Sequence, residues 1–377
     1  MEEMVDENSP LAVFDGRTVL VTGHTGFKGT WLSLWLKMLG ANVVGLSLAP
    51  PPGEPSMFES VRLERKITHI IGDICDRELV REIIHDHRPS IVIHMAAQTL
   101  VNRSYREPRE TFNTNVLGTI NILEAIRMEG GVKACIVVTS DKCYSNDGRD
   151  RAYVEDDCLG GKDPYSASKA AAEIVTASYR WSYFSSPDNA MALSTARAGN
   201  VIGGGDWAED RIVPDIVRGL ISGKSISVRN PASVRPWQHV LEPLNGYLLL
   251  TARMLQDSVS YSGPWNFGPD HRNCTVQDLV ERFIRSWGKG TWVYSGRASD
   301  MQKEARTLRL DSTKAKNGLG WRPLLQLDQA VDLTVEWYKA DTTKSYDMGD
   351  FSEQQIKNFL RMAPNESKEQ YHGQRIL

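Results

Sequence analysis

The sequence has little of what several classes of protein need. Its five cysteines show no metal-ligand spacing, and their odd number argues against a disulfide framework, so we expect reduced thiols and no metal site. No apolar run reaches the ~18 residues of a membrane span, and the acidic first ten residues lack the apolar core of a signal peptide. A net charge of −3 offers no basic surface to nucleic acid. These absences predict a cytoplasmic protein that binds neither nucleic acid nor a membrane.

The first half of the chain alternates apolar runs with helical patterns. The predicted strands are Thr18–Thr22, Asn42–Ser47, Ile67–Ile71, Ile91–Met95, Ala134–Thr139 and Ala192–Ala196. The predicted helices between them are Thr30–Leu39, Arg77–Asp86, Thr111–Met128 and Pro164–Tyr183. This order is typical of an α/β fold with a doubly wound parallel sheet, in which ligands bind beyond the carboxyl ends of the strands.

The pattern becomes irregular after about Gly203, where proline, tryptophan and arginine are more frequent. A chain of 377 residues is long for one core, so we expect two domains or an elaborated one. We predict an N-terminal tail over 1–15, a dinucleotide-binding domain over 16–200 and a polar tail over 341–377. Residues 201–340 are predicted to form a smaller C-terminal α/β substrate-binding domain whose chain crosses back to the sheet.

A glycine-rich turn follows the first predicted strand. Gly23, Gly26 and Gly29 stand between that strand and a helical pattern that begins at Thr30. Glycines let the backbone turn sharply and approach a pyrophosphate, and a helix N-terminus presents unpaired N–H groups and the positive end of its dipole. Because the spacing differs from the dehydrogenase pattern G-x-G-x-x-G, the turn alone indicates either an anion site or an ordinary strand-to-helix connection.

Tyr165 and Lys169 lie four residues apart at the start of a predicted helix, which places them on one face. A neighbouring ammonium lowers a tyrosine pKa from its usual value of about 10. Such a tyrosine can take a proton from an alcohol while a hydride leaves to a cofactor. The pair alone also fits a tyrosine packed on a lysine stem. Ser140, just after a predicted strand, favours catalysis because its hydroxyl can bond the same substrate oxygen.

With these residues in place, the chain resembles the extended short-chain dehydrogenase/reductases that act on nucleotide sugars, over about residues 14–340. The segments that carry the resemblance are 23–29, 94–98, 115–119, 197–201 and 235–240. The resemblance implies a Rossmann-type sheet and a NAD cofactor. The cofactor contacts it implies are Gly23, Thr25, Gly26, Phe27, Gly29, Asp73, Ile74, Ala96, Ala97, Gln98, Tyr165 and Lys169.

The segment after Ser140 indicates the subfamily. Epimerases of this family usually carry small or neutral residues there, whereas the sugar 4,6-dehydratases carry an acidic pair. Here the pair is Asp141-Lys142, a variant that resembles the dehydratases acting on CDP-glucose. The cytidine comes from the resemblance alone.

The resemblance also implies a reaction sequence. Tyr165 takes the C4 hydroxyl proton while NAD⁺ takes the C4 hydride, with Ser140 on the oxygen and Lys169 lowering the tyrosine pKa. The ketone makes the C5 proton acidic, a base removes it, Asp141 protonates the departing C6 hydroxyl, and the hydride returns to C6. Lys142 replaces the usual glutamate base, so it is predicted either to remove the C5 proton or to orient the sugar.

Cationic and polar residues in the second half are expected to hold the diphosphate. Arginine suits a diphosphate because its fork binds two oxygens. The candidates from chemistry or resemblance are Asn200, Arg211, Arg235, Trp237 and His239, with Arg229, Trp207 and Trp265 as weaker ones. For each tryptophan, core packing is the alternative.

The resemblance also bears on the choice between NAD and NADP and on the oligomeric state. The second strand ends at Ser47 without the acid that usually bonds the adenosine ribose, and no arginine replaces it, so NAD is favoured over NADP because a cofactor restored in each turnover can stay bound. A homodimer is expected through helices matching Thr111–Met128 and Pro164–Tyr183.

The alternative functions are a sugar-nucleotide 4-epimerase or decarboxylase, a plain alcohol dehydrogenase, and a non-catalytic dinucleotide sensor.

Overall fold

The computed structural model describes residues 9–146, 151–185, 191–270, 274–296 and 308–363. The strands are β1 Thr18–Thr22, β2 Asn42–Ser47, β3 Thr68–Ile71, β4 Ile91–His94, β5 Ala134–Val138, β6 Ala192–Ala198, β7 Val201–Ile202, β8 Ile226–Val228, β9 Gln238–His239, β10 Gly263–Phe267 and β11 Trp292–Tyr294. The helices are α1 Phe27–Met38, α2 Met57–Ser60, α3 Arg77–His87, α4 Val101–Arg106, α5 Pro108–Phe112, α6 Gly118–Glu129, α7 Pro164–Tyr179, α8 Ile212–Ser222, α9 Leu241–Gln256, α10 Val276–Trp287, α11 Thr313–Leu319, α12 Leu327–Thr343 and α13 Met348–Arg361. Short 3-10 turns cover Pro10–Phe14, Leu63–Arg65 and Asp141–Cys143, and π-helical turns cover Asn113–Leu117 and Arg180–Phe184.

Seven strands form one sheet in the order β10-β6-β5-β4-β1-β2-β3, and every neighbouring pair is parallel. Helices cover both faces over two separate cores, as continuous apolar strands such as β4 and β5 require. The predicted doubly wound parallel fold is therefore confirmed. Because β1 lies between β2 and β4, the strand order reverses beside β1, and a crevice opens there at the carboxyl edge.

The second half of the chain is divided between this sheet and smaller pieces. Two short parallel pairs, β7 with β9 and β8 with β11, lie outside the main sheet. Between β9 and β11 the chain returns to the main sheet, where α9 packs on the sheet and β10 pairs with β6. The sequence pattern predicted that return without locating either element.

Both predicted tails contain ordered structure. Leu11 and Phe14 are buried in the main core although they lie in the segment 1–15, of which residues 1–8 fall outside the described part. The predicted polar tail from 341 is ordered as far as residue 361, because α13 buries Ile356 and Phe359, and the Phe359 ring packs edge-on against Trp35. Its apolar residues are few but fall on one face. Residues 364–377 lie outside the described part.

No helix in the described part of the chain is long and apolar enough to cross a membrane.

Candidate active site

The turn between β1 and α1 leaves no room for a side chain at two of its glycines. Gly23 has a φ of +79°, and a Cβ there would lie 2.8 Å from the backbone N of Ala96. A Cβ on Gly29 would lie 2.0 Å from the carbonyl oxygen of Gly23. The first turn of α1 carries no acidic residue. Close backbone approach and free helix N–H groups suit a dinucleotide diphosphate, so this part of the chain fits the predicted cofactor.

The end of β4 is fixed against β1 through one threonine. Thr22 Oγ1 accepts the N–H groups of Met95 and Ala96, both at 3.1 Å, and lies 2.7 Å from His94 Nδ1. Burial, reinforced by the charge of Lys169, lowers the pKa of His94 to about 3. His94 is therefore neutral at physiological pH and serves to hold the crevice in shape.

The other predicted cofactor residues differ in accessibility. Asp73 is exposed just beyond β3, and its Oδ1 accepts the N–H of Cys75 at 2.9 Å. Ile74 is buried, with its side chain against Gly118. The side chain of Gln98 bonds Leu100 and Thr111, and its backbone N–H and carbonyl bond the side chain of Asn115, so Gln98 shapes the loop after β4.

Hydroxyl groups occupy the end of β2, where an acid is usual. Thr25 Oγ1 lies 2.8 Å from Ser47 Oγ and donates to the carbonyl of Leu48 at 2.8 Å. Both side chains are partly exposed. Uncharged donors and acceptors therefore stand at the position expected for the adenosine ribose.

The three residues predicted for hydride transfer meet at the carboxyl end of β5. Ser140 follows that strand, and α7 begins at Pro164 with Asp163 capping its N-terminus, which carries Tyr165 and Lys169 into the crevice. All three side chains are buried. Lys169 Nζ donates to the carbonyl of Val138 at 3.2 Å, and burial lowers the pKa of Lys169 to about 8.

The pKa of Tyr165 does not follow the predicted direction. Burial raises it to about 12, while hydrogen bonding to Ser140 and the positive charge of Arg211 act against that rise. Desolvation wins because the phenolate would lie in a buried site. Among the cations near this phenol, Arg211 has the largest influence, whereas Lys169 was expected to.

Asp141 and Lys142 lie in the 3-10 turn that follows Ser140. Asp141 is 1% exposed, and its Oδ1 accepts the Ser140 hydroxyl at 3.0 Å. Its Oδ2 is buried and has no hydrogen-bond partner among the described residues. Lys142 Nζ lies 3.5 Å from Asp141 Oδ1, and its side chain is 32% exposed. The turn thus offers one carboxylate oxygen without a hydrogen-bond partner among the described residues and one partly exposed cation close to the other oxygen.

A polar cavity of about 610 Å³ opens beyond Asp141. Its lining includes Arg151, Arg235, Pro236, Arg309, Asp311 and Lys316. Pro236, which lines this cavity, lies near Asp141. A Cβ built on Gly199 would lie 2.7 Å from Pro236 Cγ and 3.3 Å from Asp141 Oδ2. Asn200, one residue further on, keeps a buried Oδ1 without a partner among the described residues.

Other predicted substrate contacts are placed elsewhere. His239 and Trp237 are buried in and beside β9, and burial lowers the pKa of His239 to about 3. Both belong to the motif of Arg235, and substrate contact by either side chain stays a prediction. Arg229 forms an exposed ion pair with Asp210, and Trp265 packs in the core.

Arg211 connects two walls of the crevice. Its guanidinium donates to Asp206 Oδ2 at 3.0 Å and to Thr99 Oγ1 at 2.8 Å, so it ties the segment before α8 to the loop after β4. Trp207, the neighbour of Asp206, packs edge-on against Tyr338.

Sequence reasoning missed Lys28, in the first turn of α1. Its Nζ donates to Tyr247 Oη at 3.0 Å. Burial lowers the pKa of Lys28 to about 7, helped by the charges of Lys169 and Arg211 and opposed by Asp141. A cation at a helix N-terminus is unfavourable, and that mismatch was the available signal.

The cysteines remain unpaired thiols in the structure. Cys143 is fully buried, and burial raises its pKa well above the usual range, which agrees with packing rather than nucleophilic use. No group of histidine, cysteine and acidic side chains suited to a metal ion occurs in the described ranges.

Comparisons with known proteins agree with this geometry. The model of the family described as GDP-mannose 4,6 dehydratase matches residues 20–334. The CDP-glucose 4,6-dehydratase of Salmonella typhimurium is 44% identical over 95% of this chain and 99% of its own length. The UDP-glucose 4-epimerase of Thermus thermophilus, solved with NAD, has 25% identity and a TM-score of 0.71 over 85% of this chain and 99% of that chain.

A dTDP-glucose 4,6-dehydratase from Streptomyces venezuelae, 22% identical, shares the fold with a TM-score of 0.73 over 88% of this chain and 99% of that chain. The family match covers most of the chain and contains the whole catalytic constellation. The chain belongs to the GDP-mannose 4,6 dehydratase family, within the extended short-chain dehydrogenase/reductases that its motifs resemble.

Proposed function

We propose that this chain is a hydro-lyase that converts CDP-glucose into CDP-4-dehydro-6-deoxyglucose with a tightly bound NAD. The observation that carries the proposal is Asp141, whose buried carboxylate accepts the Ser140 hydroxyl at Oδ1 and keeps Oδ2 without a hydrogen-bond partner among the described residues. An oxidation site alone has no use for this open acid. The near full-length similarity to the Salmonella CDP-glucose enzyme supports the choice of nucleotide.

The crevice at the carboxyl edge supplies the cofactor's contacts. Backbone N–H groups around Gly26 and the first turn of α1 hold the diphosphate, and Thr25 with Ser47 bonds the adenosine ribose. Asp73 and Ile74 would contact the adenine, and Lys169 would bond the nicotinamide ribose. When bound, NAD⁺ accepts a hydride from C4 of the sugar and gives it back at C6.

The chain's own residues manage the protons. Tyr165 removes the C4 hydroxyl proton and Ser140 bonds the same oxygen, so the sugar becomes a 4-ketone whose C5 proton is acidic. Asp141 then protonates the departing C6 hydroxyl as the C5 proton leaves. Lys142 removes that proton or orients the sugar. The product has lost one water and has undergone no net oxidation.

The nucleotide end of the substrate is proposed to lie in the cavity beyond Asp141. Arg235 lines that cavity, Asn200 follows Gly199 next to the lining residue Pro236, and the charge of Arg211 acts on Tyr165. Forked guanidinium groups bind phosphate oxygens in pairs, which suits a diphosphate. Residues 201–340 accordingly provide most of the substrate-binding surface.

Product analysis tests the function directly. The protein, loaded with NAD, is incubated with CDP-glucose, UDP-glucose or dTDP-glucose, and products are identified by mass spectrometry and NMR. We expect loss of water from CDP-glucose and little reaction with the other two. A C4-inverted sugar or loss of carbon dioxide from a uronic acid analogue would instead support the epimerase or decarboxylase alternative.

We also propose a homodimer. Exposed apolar side chains cluster on the segments predicted to pair, and they are Phe112, Leu117, Ile174, Trp181 and Tyr183. Trp181 alone is 74% exposed. Large exposed apolar patches on a folded chain commonly mark an interface. Light scattering at micromolar concentration should give twice the mass of 42.2 kDa, and Trp181→Glu should return the monomer.

Location in the cytoplasm and a role in deoxysugar synthesis for O-antigen or lipopolysaccharide are further proposals, supported by the resemblance alone.

A further inference from the structure

A buried ion pair lies directly behind the catalytic residues. Glu173 is on α7 and Arg197 on β6, and each side chain is 3% exposed. The guanidinium donates from Nε to one carboxylate oxygen and from its terminal nitrogen to the other, both at 2.8 Å. Neither residue belongs to the proposed catalytic set.

All the hydrogen bonds of the Glu173 carboxylate go to strands or strand ends. Besides Arg197, Oε1 accepts the hydroxyl of Thr139 and Oε2 accepts the hydroxyl of Thr195 at 2.7 Å. Thr139 is the residue immediately before Ser140, whereas Thr195 lies within β6. Glu173 therefore connects α7 to the start of the segment that carries Ser140, Asp141 and Lys142.

Arg197 holds the other end of the same segment. Its second terminal nitrogen donates to Tyr144 Oη at 2.7 Å, and its guanidinium lies 4.9 Å from the centre of the Tyr144 ring. Tyr144 directly follows the 3-10 turn Asp141–Cys143. Tyr144 Oη in turn donates to Asn266 at 2.8 Å, next to the end of β10. The ion pair thus anchors the catalytic segment at both of its ends.

Helix α7 connects Tyr165 and Lys169 to the same Glu173–Arg197 ion pair. Tyr165, Lys169 and Glu173 are spaced by four residues and share one helix face. Glu173 also opposes the lowering of the pKa of Lys169 that burial causes. One buried pair thereby relates the helix with Tyr165 and Lys169 to the turn with Ser140 and Asp141.

We propose that Glu173 and Arg197 are positioning residues, which fix the segment Ser140–Lys142 relative to Tyr165 and Lys169 through the hydroxyls of Thr139 and Tyr144. The proposal rests on the proposed function. Replacing a buried ion pair by apolar residues often leaves stability unchanged, so stability alone does not account for such a pair. Correct placement of reacting groups to within a fraction of an ångström does account for it.

A matched pair of variants tests the proposal. Thr139→Val and Thr195→Val each remove one buried hydroxyl donor to Glu173, but only Thr139 adjoins the catalytic segment. We expect Thr139→Val to lower the rate of C4 oxidation by at least about ten-fold, with the KM for CDP-glucose changed by less than about two-fold. Thr195→Val should stay within about three-fold of the wild type, at a similar melting temperature.

Hydrogen exchange in the protein without substrate gives a second readout. Mass spectrometry should show faster exchange at residues 140–144 in Thr139→Val and no change there in Thr195→Val. This readout separates the two proposals, since a wild type that leaves CDP-glucose untouched refutes the function but leaves the exchange comparison valid. Equal effects of the two variants on rate and exchange would overturn the positioning role.

Tyr144→Phe tests the anchor at the C-terminal end of the catalytic segment. It also provides a second variant in case Thr139→Val does not fold. It removes the hydrogen bonds of Tyr144 Oη with Arg197 and Asn266 and keeps the ring. We expect slower C4 oxidation and faster exchange at residues 143–146. A folded Tyr144→Phe protein with the wild-type rate and exchange would overturn the proposal.

Discussion

Tyr165 and Lys169 lie on a 16-residue helix, whereas Asp141 and Lys142 lie in a 3-10 turn of three residues. The first pair is buried on a rigid element, and the family shares it among several reactions. The second combines a buried carboxylate that has an open oxygen with a lysine whose side chain is 32% exposed. In the proposed reaction, oxidation at C4 depends on the helix, and elimination across C5 and C6 depends on the turn.

The difference shows where a reaction can diverge within one fold. The helix side supplies a reversible oxidation that any C4 chemistry needs. The turn determines the fate of the resulting ketone, because it holds the acid that a leaving hydroxyl requires. Changes on the helix should therefore stop every step, and changes in the turn should stop only the later steps.

The largest effect is expected on the helix. Tyr165→Phe removes the base for the C4 hydroxyl while keeping the ring in its buried place. We expect a folded protein with turnover reduced by about 10³-fold or more, and no first-turnover absorbance of reduced nicotinamide. Circular dichroism and a thermal melt serve as controls for the fold. A folded variant with normal turnover would remove the hydride-transfer site.

Asp141→Asn should separate the two steps. The amide cannot protonate the C6 oxygen, yet Ser140, Tyr165 and Lys169 remain able to oxidise C4. In a single turnover we expect reduced nicotinamide to form and then decay about 10²-fold more slowly than in the wild type. Exchange of the C5 proton with deuterated solvent should persist. Normal decay would restore the epimerase alternative.

Lys142→Met should have a smaller effect, because its side chain is partly exposed and C4 oxidation does not need it. We expect turnover to fall by about ten-fold. Solvent exchange at C5 assigns the role: loss of exchange makes Lys142 the base, and brisk exchange makes it a group that orients the sugar. Unchanged turnover would leave Lys142 outside the reaction.

Arg211→Gln should move the pH profile of C4 oxidation. Tyr165 acts as a base only when deprotonated, and the charge of Arg211 opposes the rise of its pKa. Removing that charge raises the tyrosine pKa, so the acidic limb of the kcat profile should shift to higher pH. An unshifted acidic limb would confine Arg211 to substrate binding, which KM reports.

The smallest effect is expected far from both catalytic elements. Ser47→Ala removes one hydroxyl at the proposed ribose contact, but Thr25 Oγ1 and the carbonyl of Leu48 remain. We expect NAD affinity to fall by about five-fold, with kcat unchanged. Calorimetric titration measures the affinity. A much larger loss would mean that Ser47 does the work of the missing acid.

Local spacing explains what could be predicted from the sequence. The strand–turn–helix around Gly23 and the four-residue interval between Tyr165 and Lys169 follow from backbone geometry within one element. β1 and β2 have the predicted bounds, and the fold class follows from the alternation of elements. The helix α13 was missed because its polarity was weighed more heavily than the periodic placement of Ile356 and Phe359.

Contacts between distant segments explain what could not be predicted. Lys28 meets Tyr247, which is 219 residues away, and its charge interacts with Lys169 and Arg211. His239 has the polarity of a ligand contact, yet β9 and its neighbours bury it completely. The rise of the Tyr165 pKa also depends on burial, which spacing along a helix does not reveal.

The return of the chain through α9 and β10 has a consequence for recombination between relatives. Because β10 pairs with β6, cutting the chain near residue 200 would leave β6 as an uncovered edge and separate one strand from its sheet. The proposed substrate-binding part, residues 201–340, therefore cannot be exchanged between relatives by a single crossover. A chimaera with a new nucleotide preference must keep residues 241–267 with the sheet and replace the flanking segments on either side.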